Sequence, residues 1–313
     1  MTRIKRILPL IILCLILCTV LVITAIFPEI DYKVSGALTS LSFSYPLGNF
    51  LEIWIEPVTL LPMCFVIAML VVCLFRTNEK KVLMRVIAGG ALVGGVVLGE
   101  QVVYRIVKYY CKLEDITKPW VATDAKVASD QAWVKVVCTL AGAVIIVLCL
   151  LAASKIKQNI LKKTERVLAV CVIVLMAELS IVSGLKFAWG RMRYRYWLQT
   201  SNEFFPWYTF NGSPENDNFK SFPSGHTANS MLLLPMSFIF DAIGREKAGR
   251  ILRGIQSVWM IVVMTSRIMA GAHFLSDVCG GALVSIAITT FTAAIAFKDG
   301  RMSGGDISDP VEI

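Results

Sequence analysis

Eight apolar stretches of about 20 residues each constrain this chain more than any other feature of its sequence, because a helix of that length crosses roughly 30 Å of hydrocarbon. They run approximately over residues 7–27, 57–75, 85–104, 133–153, 167–186, 225–243, 254–272 and 275–297. The pattern predicts an all-α, multi-pass membrane helix bundle of about eight transmembrane helices, forming a single integral membrane domain over residues 1–313. Composition agrees: of 313 residues, 56% are hydrophobic and only 17% charged, more apolar than the core of a water-soluble chain this long requires. The first stretch follows Thr2-Arg3-Ile4-Lys5-Arg6, as a signal peptide would. Phe27-Pro28-Glu29 offers no small-residue cleavage site, so an uncleaved first helix is expected.

The formal charge of +9 does not point to nucleic acid, since the basic residues fall in short clusters between apolar runs and not on one face. They mark topology, because basic loops stay cytoplasmic. Arg3, Lys5 and Arg6 begin the series. Arg76, Lys80, Lys81 and Arg85 continue it, then Lys155, Lys157, Lys162, Lys163 and Arg166, then Arg245, Lys247, Arg250 and Arg253. Both termini are therefore expected inside, with a short cytoplasmic tail over 298–313, and the segments 28–56 and 105–132 outside. One segment breaks the rule: 187–224 is placed outside yet carries Arg191, Arg193, Arg195 and Lys220. Such a cluster needs another purpose. Of the nine cysteines most lie within apolar runs, only Cys111 and Cys279 sit where an oxidising exterior would reach them, and no disulfide is expected.

The purpose emerges when the polar residues at that membrane face are taken together. One group is Lys186-Phe187-Ala188-Trp189-Gly190-Arg191-Met192-Arg193. A second is Ser221-Phe222-Pro223-Ser224-Gly225-His226. The third is Ser266-Arg267, five residues, His273, three residues, Asp277. Lys186, Arg193 and Arg267 supply three cations, and guanidinium forks match phosphate oxygens in pairs. Pro223-Ser224-Gly225-His226 opens a predicted membrane helix, where unpaired N–H groups and the positive end of the helix dipole favour an anion, and Gly225 allows close backbone approach. His273 and Asp277 are one helical turn apart, within expected hydrogen-bonding reach. The carboxylate would orient the imidazole and stabilise the cation that forms when it attacks phosphorus. His226, the only other histidine, can then protonate the departing oxygen and activate water.

These residues resemble the type-2 phosphatidic acid phosphatase superfamily, also called the lipid phosphate phosphatases, whose soluble relatives include vanadium haloperoxidases and acid phosphatases. The family pattern is Lys, six residues, Arg-Pro; then Pro-Ser-Gly-His; then Ser-Arg, five residues, His, three residues, Asp. The second and third are matched in full within 186–277, and the first departs only at Tyr194, where Pro is usual. The resemblance implies a six-helix core, with two further helices ahead of the motifs. It implies His273 as nucleophile forming a phosphohistidine, Asp277 as its partner, His226 as general acid, and Lys186, Arg193, Ser224, Gly225 and Arg267 around the phosphate. It implies no metal and no cofactor, which fits the absence of a carboxylate cluster near the motifs.

The expected reaction is hydrolysis of a phosphate or diphosphate monoester whose apolar end lies in the bilayer, of the undecaprenyl diphosphate, phosphatidate or phosphatidylglycerol phosphate class. The expected location is a bacterial plasma membrane, with the site on the extracytoplasmic face and neither nucleic acid nor a protein partner involved. A phosphotransferase that passes the phosphoryl group to another hydroxyl would use the same residues. A non-enzymatic lipid-binding or transport protein predicts broken helices and an inverted repeat, and no segment pair looks related. Arg191 and Arg195 have two readings, a role in binding or contact with lipid headgroups or Glu203, and stay outside the core site. Glu178, two turns before Lys186 in an apolar run, is expected to pack helices or support the site, with contact to substrate or to a proton path as the alternative. Glu100, near an outer helix end, is expected at the interface. The aromatic residues Tyr194, Tyr196, Trp197, Phe204, Phe205, Trp207, Tyr208 and Phe210 are expected at headgroup level, as an anchor or a lipid entrance.

Overall fold

The structure is a computed structural model that describes residues 3–77, 82–112, 117–118, 131–200 and 203–297. The expected tail 298–313 and most of the segment 113–130 lie outside the described residues. Among the described residues eleven helices follow one another: α1 (Arg3–Ile26), α2 (Pro28–Thr39), α3 (Ser44–Thr77), α4 (Val82–Lys112), α5 (Ala132–Ser154), α6 (Gln158–Trp189), α7 (Tyr194–Thr200), α8 (Gly225–Ser230), α9 (Leu233–Ala242), α10 (Glu246–Met269) and α11 (Leu275–Ala296). A 3-10 turn covers Asp217–Phe219. No strand occurs among the described residues.

Six helices, α3, α4, α5, α6, α10 and α11, are long and apolar enough to cross a membrane, and seven spans result if the bent pair of α1 and α2 counts as one. The chain is thus a multi-pass helical membrane protein. Eight uniform spans were the expectation, and the two departures have local causes. The run over 225–243 is divided at Met231 and Leu232 into α8 and α9. Pro235 has no N–H to give the Met231 carbonyl, which accepts instead from the Leu234 N–H at 2.9 Å in a tighter turn at that break. After α1 the chain turns by 110° into α2. Pro28 stands at the first position of α2, where its ring is favoured and its missing N–H costs nothing. The segment 28–56, expected as an outer loop, is therefore helical along most of its length, and α2 buries Asp31, Ser35 and Thr39.

The core gathers around α3, which packs against α4, α5, α6 and α10, while α11 packs against α1, α6 and α8. Small residues set the closest approaches, as lipid-solvated helices require. A Cβ on Gly142 of α5 would stand 2.3 Å from the Glu100 nitrogen of α4, and one on Gly48 of α3 would stand 2.6 Å from the Ala270 nitrogen after α10. The Gly48 contact brings the first turns of α3 against the end of α10, which carries Arg267. Glu178 lies fully buried on α6 and accepts from Ser285 Oγ of α11, so it ties two spans together, as a packing role predicts. Cys279, expected within reach of the exterior, is buried in α11, because that face packs on α1.

Candidate active site

The site is built where α6, α8, α10 and α11 end or begin. Lys186 lies in the last turn of α6, which stops at Gly190 in the left-handed region at φ 53°. A Cβ there would lie 2.1 Å from the Gly212 carbonyl oxygen, so only glycine fits the turn. The turn redirects the chain so that Arg193, immediately before α7, points inward. Arg193 Nε donates to the Asp217 carbonyl at 2.7 Å, and Nη1 stands 3.5 Å from His273 Nε2. Lys186 Nζ donates to the Lys220 carbonyl at 2.8 Å and lies 3.9 Å from where a Gly225 Cβ would be. Tyr194 occupies the first position of α7, a position where proline is also favoured, so the departure from the family pattern leaves the turn intact. Its ring meets Phe274 edge-on at 5.3 Å, beside the candidate nucleophile.

Ser224 caps α8, accepting from the Thr227 hydroxyl at 3.0 Å, and its own N–H donates to the Asp277 carbonyl at 2.9 Å. That bond fastens the Ser224-Gly225-His226 segment to α11. A helix dipole from a full membrane span was expected behind this loop. With six residues in α8, the support reduces to local backbone N–H groups. Arg267 is fully buried in the last turn of α10; its Nη2 donates to Glu52 Oε1 at 3.0 Å, whereas Nε and Nη1 have no hydrogen-bond partner among the described residues. Buried guanidinium donors left open in this way suit an oxyanion.

His273 stands between α10 and α11 with its two nitrogens facing different groups. Nε2 faces Arg193, and Nδ1 faces Ser221 Oγ at 3.5 Å and Asp277 Oδ2 at 3.6 Å. The pairing with Asp277 was expected to be a hydrogen bond; it is instead a close contact at 3.6 Å, which becomes an ion pair only when the ring is protonated. The reason is that Oδ2 is already occupied, by Ser221 Oγ at 2.5 Å and by the Phe274 N–H at 2.8 Å, which Asp277 accepts from the third position of α11. Burial holds the His273 imidazole well below its usual pKa, and Arg193, Lys186, Arg267 and Arg195 push it further the same way. The ring is therefore neutral, with Nε2 available as a nucleophile amid cations that an anionic substrate would neutralise. Asp217, by contrast, is held at about 2: burial opposes this, and the charges of Arg193, Lys108 and Lys220 prevail. Among the described residues no three of His, Cys, Asp and Glu are grouped to hold a metal ion.

His226 lies on α8, and its Nε2 meets Tyr109 Oη of α4 at 3.1 Å and Glu56 Oε1 of α3 at 3.8 Å. The two histidines thus open on one site, within electrostatic reach of one another. All eight residues singled out by the motifs are brought to this region. Arg191 and Arg195, for which a binding role and contact with headgroups or Glu203 were both open, are both buried. Arg191 holds Asp277 and Asp31 at once, and the Arg195 backbone N–H fixes the Gly271 carbonyl at 2.7 Å. The aromatic segment forms a folded cap, Phe204 meeting Phe274 at 5.3 Å and Trp207 meeting Phe222 at 5.8 Å, and Tyr208 and Phe210 remain exposed. Sequence reasoning missed Asp31, Glu52, Glu56 and Tyr109. Glu52 and Glu56, one turn apart at the edge of an apolar run, carried a readable signal, since acids in such a setting are paired or functional.

Residues 166–301, which hold all three motifs, match the family model of the PAP2 superfamily, and the resemblance carried by the motifs is thereby shown for this segment. No curated protein and no solved structure matches the chain. The family match supports phosphatase-type activity, the hydrolysis of a phosphoric ester.

Proposed function

We propose that this protein is a membrane-embedded lipid phosphatase that hydrolyses a lipid phosphate or diphosphate monoester through a phosphohistidine on His273. The observation that carries the reading is the position of His273 Nε2, 3.5 Å from Arg193 Nη1, with Asp277 at 3.6 Å behind the opposite nitrogen. A phosphoryl group drawn to Arg193, Lys186 and the open donors of Arg267 presents its phosphorus to Nε2. As the N–P bond forms, positive charge grows on the ring, and Asp277 stabilises it. His226 protonates the departing oxygen and then takes a proton from the water that cleaves the phosphohistidine. Gly225 supplies its backbone N–H to a phosphate oxygen, and Ser224, whose own N–H is held by the Asp277 carbonyl, fixes that segment in place.

A substrate with an apolar chain in the bilayer is supported by the apolar helices that carry every element of the site. The loop charges support both termini cytoplasmic and the site outward, and the membrane in this reading is the plasma membrane of a bacterium. The test is phosphate release by the purified full chain in detergent, with EDTA present, from undecaprenyl diphosphate, phosphatidate and phosphatidylglycerol phosphate. At least one should be hydrolysed, and His273→Ala should abolish that turnover; release that survives the substitution refutes the nucleophile.

A further inference from the structure

The helices ahead of the family segment do more than surround it, for α3 and α4 place an acid and a phenol against His226. Glu56 Oε1 lies 3.8 Å from His226 Nε2, and Tyr109 Oη lies 3.1 Å from the same nitrogen. Glu56 is 3% exposed and is fixed on both sides: Oε1 accepts from Asn229 Nδ2 at 3.2 Å, and Oε2 pairs with Arg105 Nε at 3.1 Å. A buried carboxylate held so firmly beside an imidazole has the same relation to it that Asp277 has to His273, where the separation is 3.6 Å. The site therefore holds two carboxylate–histidine pairs, and the family segment supplies both members of only one.

We propose that Glu56 is the positioning carboxylate of the proton donor: it stabilises the imidazolium of His226, while Tyr109 fixes the ring through Nε2. The inference rests on the phosphatase reading and assigns a task to residues outside the matched segment. In the first chemical step the bond from phosphorus to the leaving oxygen breaks as the bond to His273 Nε2 forms. The proton on His226 Nδ1, the nitrogen engaged by neither Glu56 nor Tyr109, passes to that oxygen. The need for a carboxylate follows from the setting of the ring, since burial disfavours a second proton there first of all, and Arg267, Arg105, His273 once charged, and Lys186 act the same way. Glu56 is the anion within contact distance that opposes them.

The leaving group provides the test. An alkanol departs only with a proton, whereas 4-nitrophenolate departs as an anion. Alcohol release in the first turnover is measured for a long-chain alkyl phosphate and for 4-nitrophenyl phosphate, with wild type, Glu56→Gln, Tyr109→Phe and His226→Ala as full-length proteins in detergent. Glu56→Gln should lower the alkyl rate relative to the aryl rate by about tenfold or more and move the alkaline limb of the alkyl pH profile to lower pH. Tyr109→Phe should lower the same ratio, and it reports on the site even if Glu56→Gln fails to fold. His226→Ala should show the largest selective loss. Equal slowing of both esters in Glu56→Gln and Tyr109→Phe, or a selective loss in His226→Ala alone, overturns the assignment. A wild-type protein that hydrolyses neither ester removes the phosphatase reading itself, and the donor assignment with it.

Discussion

Arg191 Nη1 meets Asp277 Oδ1 at 2.6 Å, with both side chains almost wholly withdrawn from solvent. The same guanidinium reaches Asp31 of α2 through Nη2 at 2.8 Å, donates to Ser276 Oγ at 2.7 Å and to the Phe205 carbonyl at 3.1 Å, and lies 4.4 Å from the Phe274 ring centroid. Asp31 in turn accepts from the Ser276 N–H at 2.8 Å and its hydroxyl at 2.6 Å. One carboxylate oxygen of Asp277 is thus anchored, which leaves the other to face Ser221 and His273. Lysine cannot reproduce this arrangement, because its ammonium lacks the planar fork that serves both acids and packs against the ring. Arg191→Lys should therefore behave as a loss of function. Asp31→Ala should cost about 3–5 kcal/mol, as loss of one member of a buried pair does. Thermal unfolding in detergent and phosphate release measure the two effects, and an Arg191→Lys protein of wild-type turnover would refute the anchoring role.

His273 gives a pH dependence with a definite sign. Its folded pKa is depressed below about 6.5, so as pH falls through that value the unfolded chain takes up a proton that the folded chain refuses. The contribution to stability is present above about 6.5 and is lost as pH falls below it. Histidine-selective NMR reads the ring directly, and the two resonances are assigned with His226→Ala. The His273 ring should remain neutral at pH 6 without substrate, and Arg193→Met should raise its pKa, because a nearby cation is removed. An unshifted titration near 6.5 in the wild type would contradict the cationic setting described for the site.

Glu178 belongs to packing. Its one hydrogen bond, from Ser285 Oγ, spans α6 and α11 and touches no residue of the site. Glu178→Ala leaves the Ser285 hydroxyl buried without its acceptor, a cost of about 1–3 kcal/mol. Turnover per folded molecule should stay within about threefold, since no transition-state contact is removed. A selective collapse of turnover at unchanged stability would return Glu178 to the substrate or to a proton path.

The sequence and the structure agree most closely where a single local rule decides the outcome. Apolar length alone locates α3, α4, α5, α6, α10 and α11, and the spacing of Lys186, Arg193, His226, Arg267, His273 and Asp277 is enough to gather the candidate site. Legibility ends where partners are distant in the chain. Arg191 pairs with Asp31 across 160 positions, and nothing near Arg191 distinguishes a buried hub from a charge on an outer loop. Glu56 lies 173 positions from Asn229, and its apolar neighbours on α3 show only that a charge there needs a partner. The segment holding α2 has too few apolar residues for a span and no strong periodicity, so only its contacts reveal why it is helical. The break between α8 and α9 depends on Pro235, and its consequence for the dipole behind Ser224 is seen only when the break is located.

A close approach between α11 and the Ser224 backbone yields the sharpest substitution. Gly281 of α11 lies against the Ser224 backbone, and a Cβ there would stand 2.4 Å from the Ser224 carbonyl oxygen, nearer than such atoms can come. The neighbour is main chain and cannot rotate aside, so Gly281→Ala must displace the loop that carries Ser224, Gly225 and His226. Overpacking of this kind costs about 1–3 kcal/mol, and a shift of about 1 Å in a reacting group lowers rate by about 10²-fold. Gly94→Ala on α4 is the matching control, because a Cβ there meets nothing within 4 Å and alanine is the better helix former by about 1 kcal/mol. Gly281→Ala should lose most of its phosphate release while Gly94→Ala keeps it. If both variants hydrolyse substrate at the wild-type rate, the backbone of Ser224 and Gly225 does not hold the phosphate.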